Sequence, residues 1–197
     1  MISRQGILRR IFYVRSSRLA EVPPAPGTTP IPDDHVRLYH YTGNQKGGQG
    51  EANEKMAENL RRGGIDINKS RTTTYGEPHV VWASTKPPGG HKVFAEFDIH
   101  KDDPRWGIGR PRTPADVKWL NKSNIDVTFN DSIQPHEIKA VHEPWHGTYR
   151  YLSENNMIPR VLDGEFDHLL EDPERHPSES KAISYIKSRH DSDLATS

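Results

Sequence analysis

The sequence contains no cysteine, carries no net charge and has few hydrophobic residues. The lack of cysteine excludes disulfide bonds and thiolate chemistry. The 27 basic side chains equal the 27 acidic ones in number, so the chain as a whole has no charge that would steer it toward nucleic acid. Hydrophobic residues make up 32% of the chain and the mean hydropathy is -0.88, which predicts a small core.

Long apolar runs and metal-binding spacings are also missing. No apolar run approaches the roughly 20 residues that a membrane-spanning helix needs, so we expect a cytoplasmic protein with no membrane partner. Four residues late in the chain have the side chains of metal ligands, but without a helical or ring-like spacing the sequence predicts no metal site. These residues are His136, His142, Glu143 and His146.

The length of 197 residues predicts one domain with an extension at each end. Residues 1–34 combine a flexible, arginine-rich arm with a linker, in which five prolines lie between Glu21 and Pro32. Residues 35–150 carry the domain, and residues 151–197 carry a helical C-terminal extension. Runs of strands, rather than strict alternation of strands and helices, predict an α+β fold with a mixed or antiparallel sheet.

One amphipathic helix is predicted early in the domain, over residues 51–62. Its apolar residues recur at three- and four-residue spacing, at Ala52, Met56, Ala57 and Leu60. Basic residues crowd the predicted C-terminal end, and Gly63 is expected to supply a left-handed stop. Short strands are predicted over residues 36–39, 80–83, 92–99, 125–129 and 138–141.

The most informative stretch is Tyr39-His40-Tyr41-Thr42, which closes a short apolar run and opens a glycine-rich loop. This pattern predicts a strand whose end is held inside the protein. His40 would then sit on a rigid element beside an opening, as a binding group should. A histidine at the end of a strand is also a common structural hydrogen-bonding group, so the residue type alone does not decide its role.

The resemblance to a known family lies in the order of five segments, residues 38–42, 58–65, 80–84, 93–98 and 126–138. In this order they resemble the ADP-ribosyltransferase superfamily, in its histidine–aromatic–acid branch. That branch includes diphtheria-toxin-like enzymes, poly(ADP-ribose) polymerases and small bacterial or phage effectors. The resemblance implies two small packed sheets with NAD in the split between them. It also implies transfer of ADP-ribose from NAD to a macromolecular acceptor, protein or nucleic acid, with release of nicotinamide.

The same resemblance implies roles for individual residues. His40 would hydrogen-bond the ribose of the nicotinamide half, and Trp82 would pack against the nicotinamide ring. Asp126 would bind the ribose 2′-hydroxyl and favour the positive charge that develops at the anomeric carbon. Further contacts with NAD are expected from Tyr39, Tyr41, Thr42, Tyr75, Ser84 and Glu137.

Three positions depart from the usual residues of the family. Tyr41 follows the histidine where glycine is common, Trp82 stands where tyrosine is common, and Asp126 stands where glutamate is usual. Tryptophan stacks but lacks the phenol hydroxyl, and aspartate is shorter than glutamate by one methylene. The sequence therefore leaves open a second aromatic residue and two other acids, namely Tyr75, Asp131 and Glu137.

Two other functions remain open from the sequence. An RNA 2′-phosphotransferase has a similar fold and needs an arginine-rich phosphate site, for which the chain offers Arg61, Arg62, Arg71, Arg105, Arg110 and Arg112. A non-catalytic nucleic-acid-binding module would use Arg105-Trp106 and Arg110-Pro111-Arg112 together with the basic arm. If the protein is a transferase, the segment 104–118 is predicted to recognise the acceptor, because loops carry specificity.

Overall fold

The computed structural model describes four parts of the chain, residues 21–41, 50–69, 79–89 and 92–196. Two of the predicted NAD contacts, Thr42 and Tyr75, lie outside the described residues. So do the arginine-rich arm of residues 1–20 and the glycine-rich loop that follows Thr42.

The described residues form an α+β fold, as the sequence predicts. The strands are β1 (His35–Tyr41), β2 (Val81–Ser84), β3 (Phe94–His100), β4 (Asp126–Phe129) and β5 (Ile138–His142). The α-helices are α1 (Gly50–Gly63), α2 (Pro114–Leu120), α3 (Pro144–Glu154), α4 (Ile158–Leu162) and α5 (Pro177–Ala195). None of the described helices has the length and apolar character needed to cross a membrane.

The five strands join in one antiparallel sheet, in the order β4-β2-β1-β3-β5. Residues 105–108 extend it by pairing with the outer edge of β4. There the Gly107 N–H donates to the Thr128 carbonyl at 2.7 Å, and the Thr128 N–H donates to the Ile108 carbonyl at 3.1 Å. Because this is the one sheet in the described part of the chain, the predicted NAD cleft between two small sheets is not confirmed.

The sheet is most weakly joined between β1 and β2. Seven registered pairs connect β1 with β3, and four connect β2 with β4. By contrast, β1 and β2 share the single registered pair Tyr39–Ser84. We call this junction the seam, since it divides the sheet into a β4–β2 half and a β1–β3–β5 half.

One face of the sheet, which we call the core face, packs against α1 and α2. Alternate residues of each strand point to this face, among them Leu38 on β1 and Phe97 on β3, both fully buried. The helices contribute apolar side chains such as Leu60 from α1 and Val117 from α2. This cluster is the main hydrophobic core.

The other face, the outer face, contacts the proline-rich segment that the sequence predicts to be a linker. Arg37 on β1 is 2% exposed and donates from Nη1 to the Thr29 carbonyl at 2.7 Å. Its Nε and Nη2 atoms bind the Asp98 carboxylate at 2.8 and 3.0 Å. A buried guanidinium therefore holds this segment against the sheet.

The helices that follow β5 have a core of their own. Trp145 and Leu152 of α3 pack with Val161 of α4 and with Ile183 and Ile186 of α5. This helical part begins at Pro144, ahead of the boundary at residue 151 that the sequence predicts.

The end of α1 depends on Gly64. The helix continues through Gly63, and the left-handed backbone falls on Gly64, whose φ is +69°. The Gly64 N–H donates to the Leu60 carbonyl at 3.0 Å, which closes the last turn. A Cβ on Gly64 would lie 2.2 Å from the carbonyl oxygen of Ile133, whereas one on Gly63 would meet no described atom within 4 Å.

We expect Gly64→Ala to lower the free energy of unfolding by about 1–3 kcal/mol, because alanine is strained in the left-handed region and clashes with backbone there. The matched control Gly63→Ala should change it by less than about 1 kcal/mol, since alanine favours helix. Urea denaturation of the two variants measures the difference. Equal losses would mean that the left-handed turn is not what ends this helix.

Candidate functional site

His40 lies at the end of β1, beside the seam. Its Nδ1–H donates across the seam to the backbone carbonyl of Trp82, at 2.7 Å. Burial lowers the pKa of His40 below its usual value, so the imidazole is neutral at pH 7. With Nδ1 acting as the donor, Nε2 keeps its lone pair and is an acceptor. His40 therefore presents an acceptor nitrogen on a ring that the neighbouring strand holds in place.

Three other predicted residues, Tyr41, Ser84 and Asp126, line one pocket on the outer face. The pocket has a volume of about 270 Å³. Ser84 and Asp126 are registered partners on β2 and β4, which places their side chains on the same face. We call it the Asp126 pocket; its other lining residues are Lys86, Pro87, Pro88, Gly89, Lys92 and Asn124.

The Asp126 pocket is lined mainly by polar and charged groups. Asp126 itself is exposed, while Lys86 and Lys92 bring two ammonium groups to the same pocket. The Lys92 ammonium lies 4.5 Å from the centre of the Tyr41 ring, within the range of a cation–π contact. Such a pocket suits an anionic ligand that also carries a hydroxyl for Asp126, because ammonium groups bind phosphate oxygens and a carboxylate accepts hydrogen bonds.

Trp82 belongs to the same face but does not line the pocket. It is paired with Thr128 on β4 and is half-buried. Its indole Nε1 is buried and has no hydrogen-bond partner among the described residues. A buried donor without an acceptor is costly, typically by about 1–3 kcal/mol.

The structure does not bring His40 into the Asp126 pocket. Side chains along a strand alternate between faces, so His40 has the orientation of Leu38 and belongs to the core face. Ser84 and Asp126 belong to the outer face. His40 is joined to the strand that carries Ser84 by its hydrogen bond to the Trp82 backbone carbonyl.

Tyr39 and Glu137, two predicted NAD contacts, have partners within the fold. The buried Tyr39 ring meets the Phe94 ring edge-on, with centroids 6.0 Å apart, and burial raises the pKa of Tyr39 to about 12. Glu137 accepts two hydrogen bonds from Arg105, at 2.9 and 2.5 Å, and these bonds lower the pKa of Glu137. Neither residue lines the Asp126 pocket.

The histidines near the end of β5 are packed in the protein interior. His142 Nε2 lies 2.8 Å from a carboxylate oxygen of Glu96. His146 is fully buried, accepts the Glu143 N–H on Nδ1 at 3.1 Å, and has its pKa lowered by burial to about 3. Across the described residues, no group of three or more His, Cys, Asp or Glu side chains is arranged to hold a metal ion.

Arg105 and Trp106, which the nucleic-acid-binding alternative would use, have partners within the fold. Arg105 binds Asp103 as well as Glu137, and Trp106 is 4% exposed with its indole N–H donating to the His100 carbonyl at 2.8 Å. These two residues are therefore not available to grip a nucleic acid.

Sequence reasoning missed the two lysines and the asparagine of the Asp126 pocket. Lys86 and Lys92 flank the proline- and glycine-rich segment of the sequence between β2 and β3, and Asn124 precedes β4. A sequence signal for the lysines exists, because β2 is a predicted site strand. Basic residues that follow such a strand closely in the sequence lie near its end. The family resemblance concerns residues within the strands and therefore does not include these three.

Comparison with protein-family models, with curated proteins and with solved structures finds no match to this chain.

Proposed function

We propose that the protein is an NAD-dependent ADP-ribosyltransferase whose NAD site joins the seam to the Asp126 pocket. The observation that carries the proposal is the neutral imidazole of His40, held across the seam by the Trp82 carbonyl. This bond links the predicted histidine strand to the predicted aromatic strand, in the order that the resemblance implies.

The weak junction between β1 and β2 supports a split cleft. A single registered pair in the described residues, Tyr39–Ser84, joins β1 with β2, and the proposal requires the two strands to part beside it. A dinucleotide in this opening would meet β1 on one side and β2 on the other. The proposal requires the nicotinamide ribose to lie in the opening itself, because His40 and Asp126 approach it from opposite faces of the sheet.

The chemistry of the proposal follows from these groups. His40 Nε2 accepts a hydrogen bond from a ribose hydroxyl and fixes the sugar, while Asp126 binds the 2′-hydroxyl. The bond between the ribose C1′ and the nicotinamide nitrogen breaks, and nicotinamide leaves as a neutral molecule with the bonding electrons. The negative charge of Asp126 favours the positive charge left on the ribose. The acceptor then donates an electron pair to C1′ and loses its proton to water.

The pocket lysines have a place in the same scheme. Lys86 and Lys92 would pair with the pyrophosphate of NAD, since ammonium–phosphate contacts are strong charge-assisted hydrogen bonds. The RNA 2′-phosphotransferase alternative has less support, because none of the described arginines lines this pocket (Arg71 lies outside the described residues). Arg61 and Arg105 instead form ion pairs with glutamates of the fold.

The direct test is to incubate the purified protein with NAD and to measure free nicotinamide by chromatography. The proposal predicts release of nicotinamide at a rate above that of NAD alone. It is contradicted if no nicotinamide appears and if isothermal titration also detects no binding of NAD.

Trp82→Ala is expected to weaken the binding of NAD by about fivefold to tenfold, the loss of one aromatic stacking contact. Trp119→Ala is the matched control, because Trp119 is an exposed indole on α2, outside both the seam and the pocket. Calorimetric titration with NAD gives the two affinities, and thermal unfolding checks that both variants are folded. Equal losses of affinity in the two variants would argue against a nicotinamide site beside Trp82.

A further inference from the structure

Trp119 is unusually exposed for its residue type. It lies on α2 and is 59% exposed, whereas Trp106 and Trp145 are 4% and 5% exposed in the two cores. An exposed indole is informative because most tryptophan side chains are largely buried.

The fold of α2 does not require this indole. The helix buries Val117 and Leu120 in the core, and a capping box between Thr113 and Asp116 holds its first turn. Asn121, at its C-terminal end, accepts the Arg37 N–H at 2.9 Å and so joins the helix to β1. The helix is therefore anchored by other residues, and Trp119 is displayed on a rigid support.

Two lysines flank Trp119 in the sequence, and both line one pocket with Asp33. Lys118 and Lys122 are both exposed, one preceding Trp119 and the other one turn after it. The acidic residue of the helix, Asp116, uses its carboxylate to accept the N–H groups of Arg112 and Thr113. In the described part of the chain, neither lysine belongs to an ion pair, so both ammonium groups remain available to an anionic partner.

The chain leads directly from Trp119 to the Asp126 pocket. Ser123 Oγ donates to the Trp119 carbonyl at 2.7 Å, and the Ser123 carbonyl accepts the Thr85 hydroxyl at 2.8 Å. The next residue, Asn124, lines the pocket. Five residues of chain span at most about 18 Å, so the Cα atoms of Trp119 and Asn124 lie no further apart than that.

We propose that the exposed surface of α2 binds a single-stranded nucleic acid, with a base stacked on Trp119. Phosphates of the strand would pair with Lys118 and Lys122 beside the indole. An aromatic platform set among ammonium groups is the combination that binds single strands without dependence on sequence. A protein partner fits less well, because lysine is depleted in the centres of protein–protein interfaces.

That the bound strand is also the acceptor of ADP-ribose rests on the proposed function. The binding itself does not, because it needs no NAD. An unpaired base is essential to the proposal, since a base inside a duplex cannot expose its face to the indole.

The experiment measures binding of the full chain to a fluorescently labelled twelve-nucleotide oligothymidine by anisotropy, at low salt and without NAD. We expect Trp119→Ala to weaken binding about tenfold, the effect of one stacked base, and Trp119→Phe to restore most of it. Tyr151→Ala is the matched control, because Tyr151 is an equally exposed aromatic residue (60%) on α3, away from these lysines. Lys118→Gln with Lys122→Gln should reduce the dependence of affinity on salt.

Three results would overturn the inference: no binding of the oligonucleotide, equal loss in Trp119→Ala and Tyr151→Ala, or binding of a duplex as tight as that of the single strand. The outcome is separable from that of the proposed function. Oligonucleotide binding without release of nicotinamide would contradict only the transferase proposal. Release of nicotinamide without oligonucleotide binding would contradict only this inference.

Discussion

His40→Ala is expected to lower the rate of nicotinamide release by about 100-fold to 1,000-fold, the usual cost of removing one hydrogen-bonding group that acts in a transition state. The variant loses the acceptor Nε2 that would fix the ribose. It also loses the Nδ1 bond to the Trp82 carbonyl, which joins the two halves of the sheet at the seam. Both losses let the nicotinamide ribose move relative to Asp126.

The matched control for this variant is His35→Ala. His35 stands at the other end of the same strand, where its Nδ1 lies 2.6 Å from the Asp34 carboxylate, far along β1 from the seam. It should release nicotinamide at the rate of the unaltered protein. Thermal unfolding of both variants shows whether they are folded. If folded His40→Ala retains the full rate, the imidazole has only a structural role.

The dependence of the rate on pH gives a second readout for His40. The neutral imidazole is the active form in the proposal, because only this form has an acceptor at Nε2 while Nδ1 donates to the Trp82 carbonyl. Burial lowers the pKa of His40 below 6.5, so protonation and loss of activity should occur on the acid side of that value. Rates of nicotinamide release measured from pH 5 to pH 8, in buffers of equal ionic strength, test this expectation. The rate should be about constant above pH 6.5 and should fall below it. A fall centred above pH 6.5 would contradict the neutral role.

The strands of the sheet could be predicted because each has a local signature. A short apolar run bounded by proline and glycine indicated β2, and alternation of apolar residues indicated β3 and β4. The helix α1 showed apolar residues at helical spacing. In all of these the signal comes from which side chains are buried, and neighbours in sequence supply it.

The docking of the proline-rich segment could not be predicted in this way. Its prolines have no N–H and its sequence has no periodicity, which is typical of a linker. What holds it is Arg37, whose guanidinium reaches the Thr29 carbonyl while Asp98, far along the chain, orients it. A contact made by one buried arginine between distant segments leaves no mark on the local pattern.

Part of the candidate site was predictable and part was not. Ser84 and Asp126 share a pocket because β2 and β4 pair in the register that the order of strands allows. The face to which His40 points was not predictable, since a shift of one residue in register turns every side chain to the opposite face. Glu137 was an open alternative for the acid because its partner, Arg105, comes from a different segment.

Asp126→Asn is expected to lower nicotinamide release by about 100-fold to 1,000-fold while leaving the free energy of unfolding unchanged. The amide keeps the shape of the side chain but removes the negative charge that would stabilise the ribose. No loss of stability is expected, because Asp126 is exposed at the start of β4. Nicotinamide release at saturating NAD and urea denaturation measure the two quantities.

The two other acids that the sequence left open supply the controls. Glu137→Gln should lower stability and keep the rate, because Glu137 is bound to Arg105 and lies outside the Asp126 pocket. Asp131→Asn should change neither quantity greatly, since its carboxylate is exposed and accepts the adjacent Ser132 N–H at 2.7 Å. The assignment of Asp126 is contradicted if Asp126→Asn stays active while Glu137→Gln or Asp131→Asn loses activity without losing stability. The catalytic acid would then lie outside the Asp126 pocket. In that case the Asp126 pocket would not be the site of the proposed transferase reaction.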